Sequence, residues 1–191
     1  MKRLLNEIKG CDICKDHLAL GPRPVLSAHK NSKVLIIGQA PGTRVHKSGI
    51  PWDDQSGKRL RIWLGVDDVA FYNPEKFGIV PMGFCYPGKG KSGDLPPRKE
   101  CAPQWHDQLF EKMKGVELIL LIGQYAQKYY LKDTAKKNLT ETVWNYGEYL
   151  PKYFVLPHPS PRNGIWLKKH DWFEKEVVPA LQDRILEIFN K

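Results

Sequence analysis

A chain of 191 residues, 41% hydrophobic and 27% charged, has ordinary globular usage, which excludes wholesale disorder and fibrous repeats and suits one domain spanning residues 1–191. No apolar run reaches the ~18–20 residues of a membrane span, and charge interrupts the start Met1 to Glu7 before a signal-peptide core forms, so a cytoplasmic protein without membrane contact is expected. The formal charge of +9, from 30 Lys+Arg against 21 Asp+Glu, favours a polyanionic partner, nucleic acid first, although a solvated cationic face gives the same balance.

In chain order, the first strand expected is Lys33–Ile37, and Gly38-Gln39-Ala40-Pro41-Gly42 follows it at once. Two Gly and a Pro let the backbone turn sharply and a ligand approach closely; a plain strand-to-helix turn is the alternative. Ile50-Pro51-Trp52-Asp53-Asp54-Gln55-Ser56-Gly57 then sets an aromatic and two carboxylates ahead of a helix over Ser56–Leu64. Asp53, Asp54 or Ser56 can cap that helix while Trp52 joins the core, or Trp52 can stack on a flat base beside a carboxylate that handles water or a cation.

A second strand, Phe77–Val80, runs into Pro81-Met82-Gly83-Phe84. The segment Cys85–Pro103, with Pro87, Gly88, Gly90, Gly93, Pro96 and Pro97 among Lys89, Lys91, Arg98 and Lys99, reads as an exposed basic loop. Gly90-Lys91-Ser92 does not end a phosphate-binding loop, because Cys85 stands where that motif needs Gly and no helix follows. Lys89 and Lys91 suit a DNA backbone instead.

A helix over Gln104–Lys114, a strand over Val116–Ile122, the turn Gly123-Gln124, and helices over Gln124–Leu131 and Thr140–Tyr149 come next. The fourth strand, Tyr153–Leu156, leads into Pro157-His158-Pro159-Ser160-Pro161-Arg162-Asn163, where prolines hold His158 on a stiff loop that suits a catalyst. A charged amphipathic helix over His170–Phe189 closes the chain. Strands alternating with helices predict an α/β fold, three-layer α/β/α around a central four-stranded parallel sheet. Ligands of such sheets bind at the carboxyl ends of the strands, so the four loops after the strands should meet in one crevice.

The four cysteines, Cys11, Cys14, Cys85 and Cys101, pair as Cys-x2-Cys and Cys-x15-Cys. In a reducing compartment that pattern points to a four-thiolate metal or iron–sulfur site, with four incidental thiols as the alternative.

Together these residues make the chain resemble the uracil-DNA glycosylase superfamily, and within it the iron–sulfur branch called family 4 and its relatives. Gly38 to Gly42 is similar to that family's Gly-Glu-Ala-Pro-Gly, Pro157 to Pro161 to its His-Pro-Ser motif, and Gly123-Gln124-Tyr125-Ala126 to its Gly-x-Tyr-Ala segment. The resemblance implies a structural [4Fe-4S] cluster on Cys11, Cys14, Cys85 and Cys101, zinc or an empty site being the alternatives. It also implies a monomer whose partner is DNA carrying a deaminated or damaged base. Two departures matter. Gln39 replaces the family Glu, and Pro81-Met82-Gly83 stands where uracil readers place an Asn.

Asp54-Gln55-Ser56-Gly57 resembles the Asp-Ala-Ser-Gly of another branch, family 5, which transfers a catalytic role to Asp54. The implied site has Asp54 and His158 as catalytic groups, with Gly38, Gln39, Ala40, Pro41, Gly42 and Trp52 around the base. Pro159, Ser160, Pro161, Arg162, Asn163, Lys89 and Lys91 would contact DNA, and Lys168 and Lys169 are further candidates. A DNA-binding module that holds altered nucleotides without cleaving them is the alternative.

Overall fold

The computed structural model describes residues 1–191. Its centre is a parallel sheet of β1 (Val34–Ile37), β2 (Phe77–Ile79), β5 (Leu118–Ile122) and β6 (Tyr153–Leu156), in the order β2-β1-β5-β6. In β1 every residue is buried, as expected of a strand covered on both faces. Side chains alternate between those faces. Val34 and Ile36, with Leu118, Leu120, Ile122, Phe154 and Leu156, face one core layer; Leu35 and Ile37, with Leu121 and Val155, face the other.

The first layer is covered by α3 (Gln55–Leu64), α4 (Asp68–Phe71) and α9 (Val178–Phe189) through Leu60, Trp63, Leu64, Phe71, Leu181 and Ile185. The second is covered by α1 (Lys2–Lys9), α5 (Cys101–Phe110) and α6 (Gln124–Leu131) through Leu4, Ile8, Ala102, Trp105, Leu109, Ala126 and Leu131. The α/β/α architecture and all four expected strands are therefore present. No helix is long and apolar enough to cross a membrane.

Several boundaries differ from expectation for local reasons. α5 begins at Cys101 despite Pro103, because a proline in the first turn removes an N–H that has no partner there anyway. The expected helix over His170–Phe189 is a π-helical turn, Phe173–Val177, followed by α9. Pro179 lacks the N–H that would bond back one α-turn, so the coil widens before it.

The expected helix Thr140–Tyr149 stops early: α7 is Leu139–Trp144, and a 3-10 turn spans Tyr146–Tyr149. The segment Cys85–Pro103 is not the fully exposed loop expected. Residues 85–88 are buried, β3 (Lys89–Gly90) and β4 (Gly93–Asp94) form a small antiparallel hairpin, and α5 takes up its end. Two short helices, α2 (Thr43–Ser48) and α8 (Gly164–Lys169), complete the chain.

Candidate active site

The loops after β1, β2 and β6 meet at the carboxyl edge of the sheet around a cleft of about 520 Å³, joined there by the β3–β4 hairpin and the approach to α3. That volume falls within the roughly 300–1,000 Å³ of small-molecule sites. Gly38, Gln39, Ala40, Pro41, Gly42, Trp52, Asp54, His158, Ser160, Arg162 and Asn163 all line it. The parallel strands cause this convergence, because each delivers its following loop to the same edge.

Trp52 occupies the cleft in an unusual backbone state, with φ of 57°. Left-handed φ in a bulky aromatic is strained and is held only where surrounding structure fixes it. Two glycines do so. A Cβ at Gly38 would lie 2.8 Å from Cζ2 of the indole, and a Cβ at Gly57 would collide with the Trp52 carbonyl. The indole thus rests on bare backbone, with the His158 ring 5.6 Å away by centroids and tilted by 32°.

Asp54 is the N-cap of α3, its Oδ1 accepting from the Gly57 N–H at 2.8 Å. The capping and functional readings of this carboxylate are compatible: one oxygen fixes the group while the side chain remains half-buried on the cleft wall. His158 is also half-buried. Burial pushes its pKa below the ordinary histidine value and the negative charge of Asp54 only partly opposes this, so the imidazole is neutral at pH 7 and carries a single N–H donor.

The loop that carries His158 is braced from three sides. Asn163 Nδ2 donates to the His158 carbonyl at 2.7 Å, Arg59 Nη1 donates to the Ser160 carbonyl at 3.0 Å, and Arg162 Nη1 donates to the Ser92 carbonyl at 3.0 Å. The last bond ties this loop to the β3–β4 hairpin. Pro161 and Arg162 are exposed, as are Lys89 and Lys91 on the hairpin, whereas Pro159 is buried; none of Pro159, Pro161, Lys89 and Lys91 lines the cleft. Lys168 and Lys169 are exposed at the end of α8, also outside the cleft.

Sequence reasoning missed Asp94, a second cleft carboxylate, whose Oδ1 accepts from the Tyr86 hydroxyl at 3.3 Å. Nothing in the local pattern marks it, since the hairpin that presents it is only two residues per strand. Ser56, expected only as a possible helix cap, also lines the cleft, and Arg59, which braces the His158 loop, had no signal in the sequence.

A buried bond network supports the cleft floor. His106 bridges the Pro81 carbonyl, 3.0 Å from Nε2, and the Tyr130 hydroxyl at Nδ1. Burial lowers its pKa to about 4, so Nε2 donates to the carbonyl and Nδ1 accepts from the phenol.

The metal expectation is corrected. Cys11, Cys14, Cys85 and Cys101 do lie around one hollow, with Leu18, Pro22 and Arg98, but it measures about 10 Å³, no more than the roughly 10–15 Å³ one water needs. Burial holds the Cys14 and Cys85 thiols above the ordinary range and pushes Cys101 to about 12, so these three are protonated at neutral pH. Cys14 Sγ donates to Glu100 Oε2 at 3.9 Å and Cys101 Sγ accepts from the Phe84 N–H at 3.5 Å. No group of His, Cys, Asp or Glu in the chain could hold a metal ion. Neither a [4Fe-4S] cluster nor zinc fits, and the cysteines are four free thiols.

Among solved structures, the chain is similar to a solution NMR structure from Methanosarcina acetivorans of a candidate uracil DNA glycosylase, at 17% identity and a TM-score of 0.48, covering 84% of this chain and 98% of that one. The sequence profile of the Uracil DNA glycosylase superfamily matches residues 25–182, a span that holds β1, α2, α3, the hairpin, the His158 loop and all the cleft residues just described. The chain belongs to the Uracil DNA glycosylase superfamily.

Proposed function

We propose that this protein is a DNA-repair glycosylase that takes a deaminated or damaged base, uracil first among those to test, out of the DNA stack and hydrolyses its bond to the sugar. The observation that carries the reading is the meeting of Trp52, Asp54 and His158 in one cleft of about 520 Å³. Cleaving an N-glycosidic bond leaves positive charge on the sugar and negative charge on the departing base, so a competent site needs a carboxylate at one pole and a donor at the other. Asp54 and His158 supply these.

In this reading the extruded base stacks on the Trp52 indole, and leaving the duplex costs a few kcal/mol that stacking and base contacts offset. The neutral His158 imidazole donates its N–H to the base oxygen that becomes anionic. Asp54, steadied by the Gly57 N–H, stabilises the oxocarbenium-like sugar or orients the attacking water. Gln39, which carries both a donor and an acceptor, faces the base rim in place of a carboxylate. Arg162, Lys89 and Lys91, all exposed, contact phosphates in the same reading.

The test is excision from oligonucleotides carrying uracil, hypoxanthine or xanthine, read as free base plus alkali-labile abasic sites. The reading expects abasic sites from at least one of the three. Tight binding with no abasic product on any of them would make the protein a holder of altered nucleotides and overturn the reading.

A further inference from the structure

Beside the cleft lies a second, larger groove of about 760 Å³ that shares Pro87 and Leu95 with it. One wall is a face of α6, with Tyr125, Lys128 and Tyr129 at the i, i+3 and i+4 positions that align on a helix. The facing wall comes from the prolines after the hairpin and from Lys99. Tyr129 is 40% exposed, and Tyr130 braces it edge-on at 5.0 Å. No Asp or Glu lines the groove, so Lys99 and Lys128, both exposed, face it without a compensating carboxylate.

An exposed tyrosine, with a half-buried one next to it, beside uncompensated lysines is a combination that binds single-stranded nucleic acid: bases stack on the rings and phosphates meet the cations, with little regard to sequence. The groove also adjoins the cleft, Pro87 and Leu95 lining both. We infer that it holds single-stranded DNA, seating nucleotides adjacent to the one whose base enters the cleft. Bases that remain paired and stacked in a duplex cannot spread onto Tyr125 and Tyr129, so the groove favours single over double strands. This inference rests on the cleft being a base pocket.

The test is equilibrium anisotropy with an undamaged labelled oligothymidine and a duplex of equal length, using the full chain. Tyr129→Ala should weaken single-strand binding on the order of tenfold without changing its salt slope, and Tyr129→Phe should retain it. The Lys99→Ala/Lys128→Ala pair should flatten the single-strand salt slope by about 1.4, at ~0.7 per phosphate contact. Duplex affinity should move less than about twofold in every variant.

Single-strand affinity unchanged in both alanine variants, or equal losses on duplex, would overturn the inference. So would sedimentation showing that the wild type self-associates and Tyr129→Ala does not, because the groove would then seat a second copy of the chain. Binding is read without excision, which keeps the two claims apart. Lost single-strand binding in a protein that excises nothing leaves the groove standing and removes the glycosylase; excision with unaffected variants does the reverse.

Discussion

The cleft and the cysteine hollow are both gathered from segments far apart in the chain, and both hold side chains able to do chemistry. In the cleft, Trp52, Asp54 and His158 border about 520 Å³ of free space; in the hollow, four cysteines border about 10 Å³. The Gly57 N–H tethers Asp54 and partial burial keeps His158 neutral with a donor to offer, whereas the cysteines close on a hollow without room for a ligand. Bringing reactive groups together does not by itself make a site. Free volume separates the two clusters.

The largest expected effect probes the active side of this comparison. Asp54→Asn and His158→Ala should each lower single-turnover excision by ~10²–10³, the usual loss when one preorganised electrostatic contact is removed. Single-strand binding should survive in both. Excision rates within a few-fold of wild type for either variant would return that residue to a structural role.

Gly57→Ala tests what holds the cleft in shape. Its new methyl collides with the Trp52 carbonyl, so it should destabilise the fold by about 1–3 kcal/mol as an overpacked site, or roughly 2–12 °C in Tm for a domain of this size. Thermal unfolding that matches wild type would show that the strained Trp52 geometry is not enforced.

Protonation supplies the next test. His106 has a pKa near 4 in the folded protein and about 6.5 unfolded. The unfolded chain therefore binds the extra proton first as pH falls, and stability drops between about pH 6.5 and 4, by ~3 kcal/mol in all. His106→Gln should flatten that limb in urea titrations across this range. An unchanged slope would mean that His106 is not the buried neutral group described. His158 shifts in the same direction, so its protonation state, and excision with it, should hold level around neutrality.

The smallest effect concerns the silent cluster. Buried thiols with raised pKa values should alkylate slowly at pH 7.5, with Cys85 and Cys101 reacting fully only after unfolding. Rapid labelling of those residues in the native protein would undo the contrast with the cleft.

Much of this arrangement was legible in the sequence because it rests on short-range rules. β-branched runs marked four strands, and the α/β rule placed their loops on one edge, although Gly123-Gln124 does not line the cleft; Trp52 and Asp54 were expected beside His158 through the family resemblance. What escaped detection depended on depth and tertiary fit. Cys-x2-Cys spacing says nothing of the space between sulfurs. Asp94 reaches the cleft only because a hairpin too short for any pattern folds over it. Tyr129 looks like an ordinary helix residue until the groove beside it shows its ring exposed.

The account stands on Asp54 and His158 acting on opposite poles of one bond, and a double-mutant cycle in single-turnover excision measures that directly. Residues that act as a unit are strongly non-additive, so Asp54→Asn/His158→Ala should be little slower than the worse of the two single variants. Losses that multiply in full would mean that the two side chains work independently, and the shared site proposed for them would be contradicted.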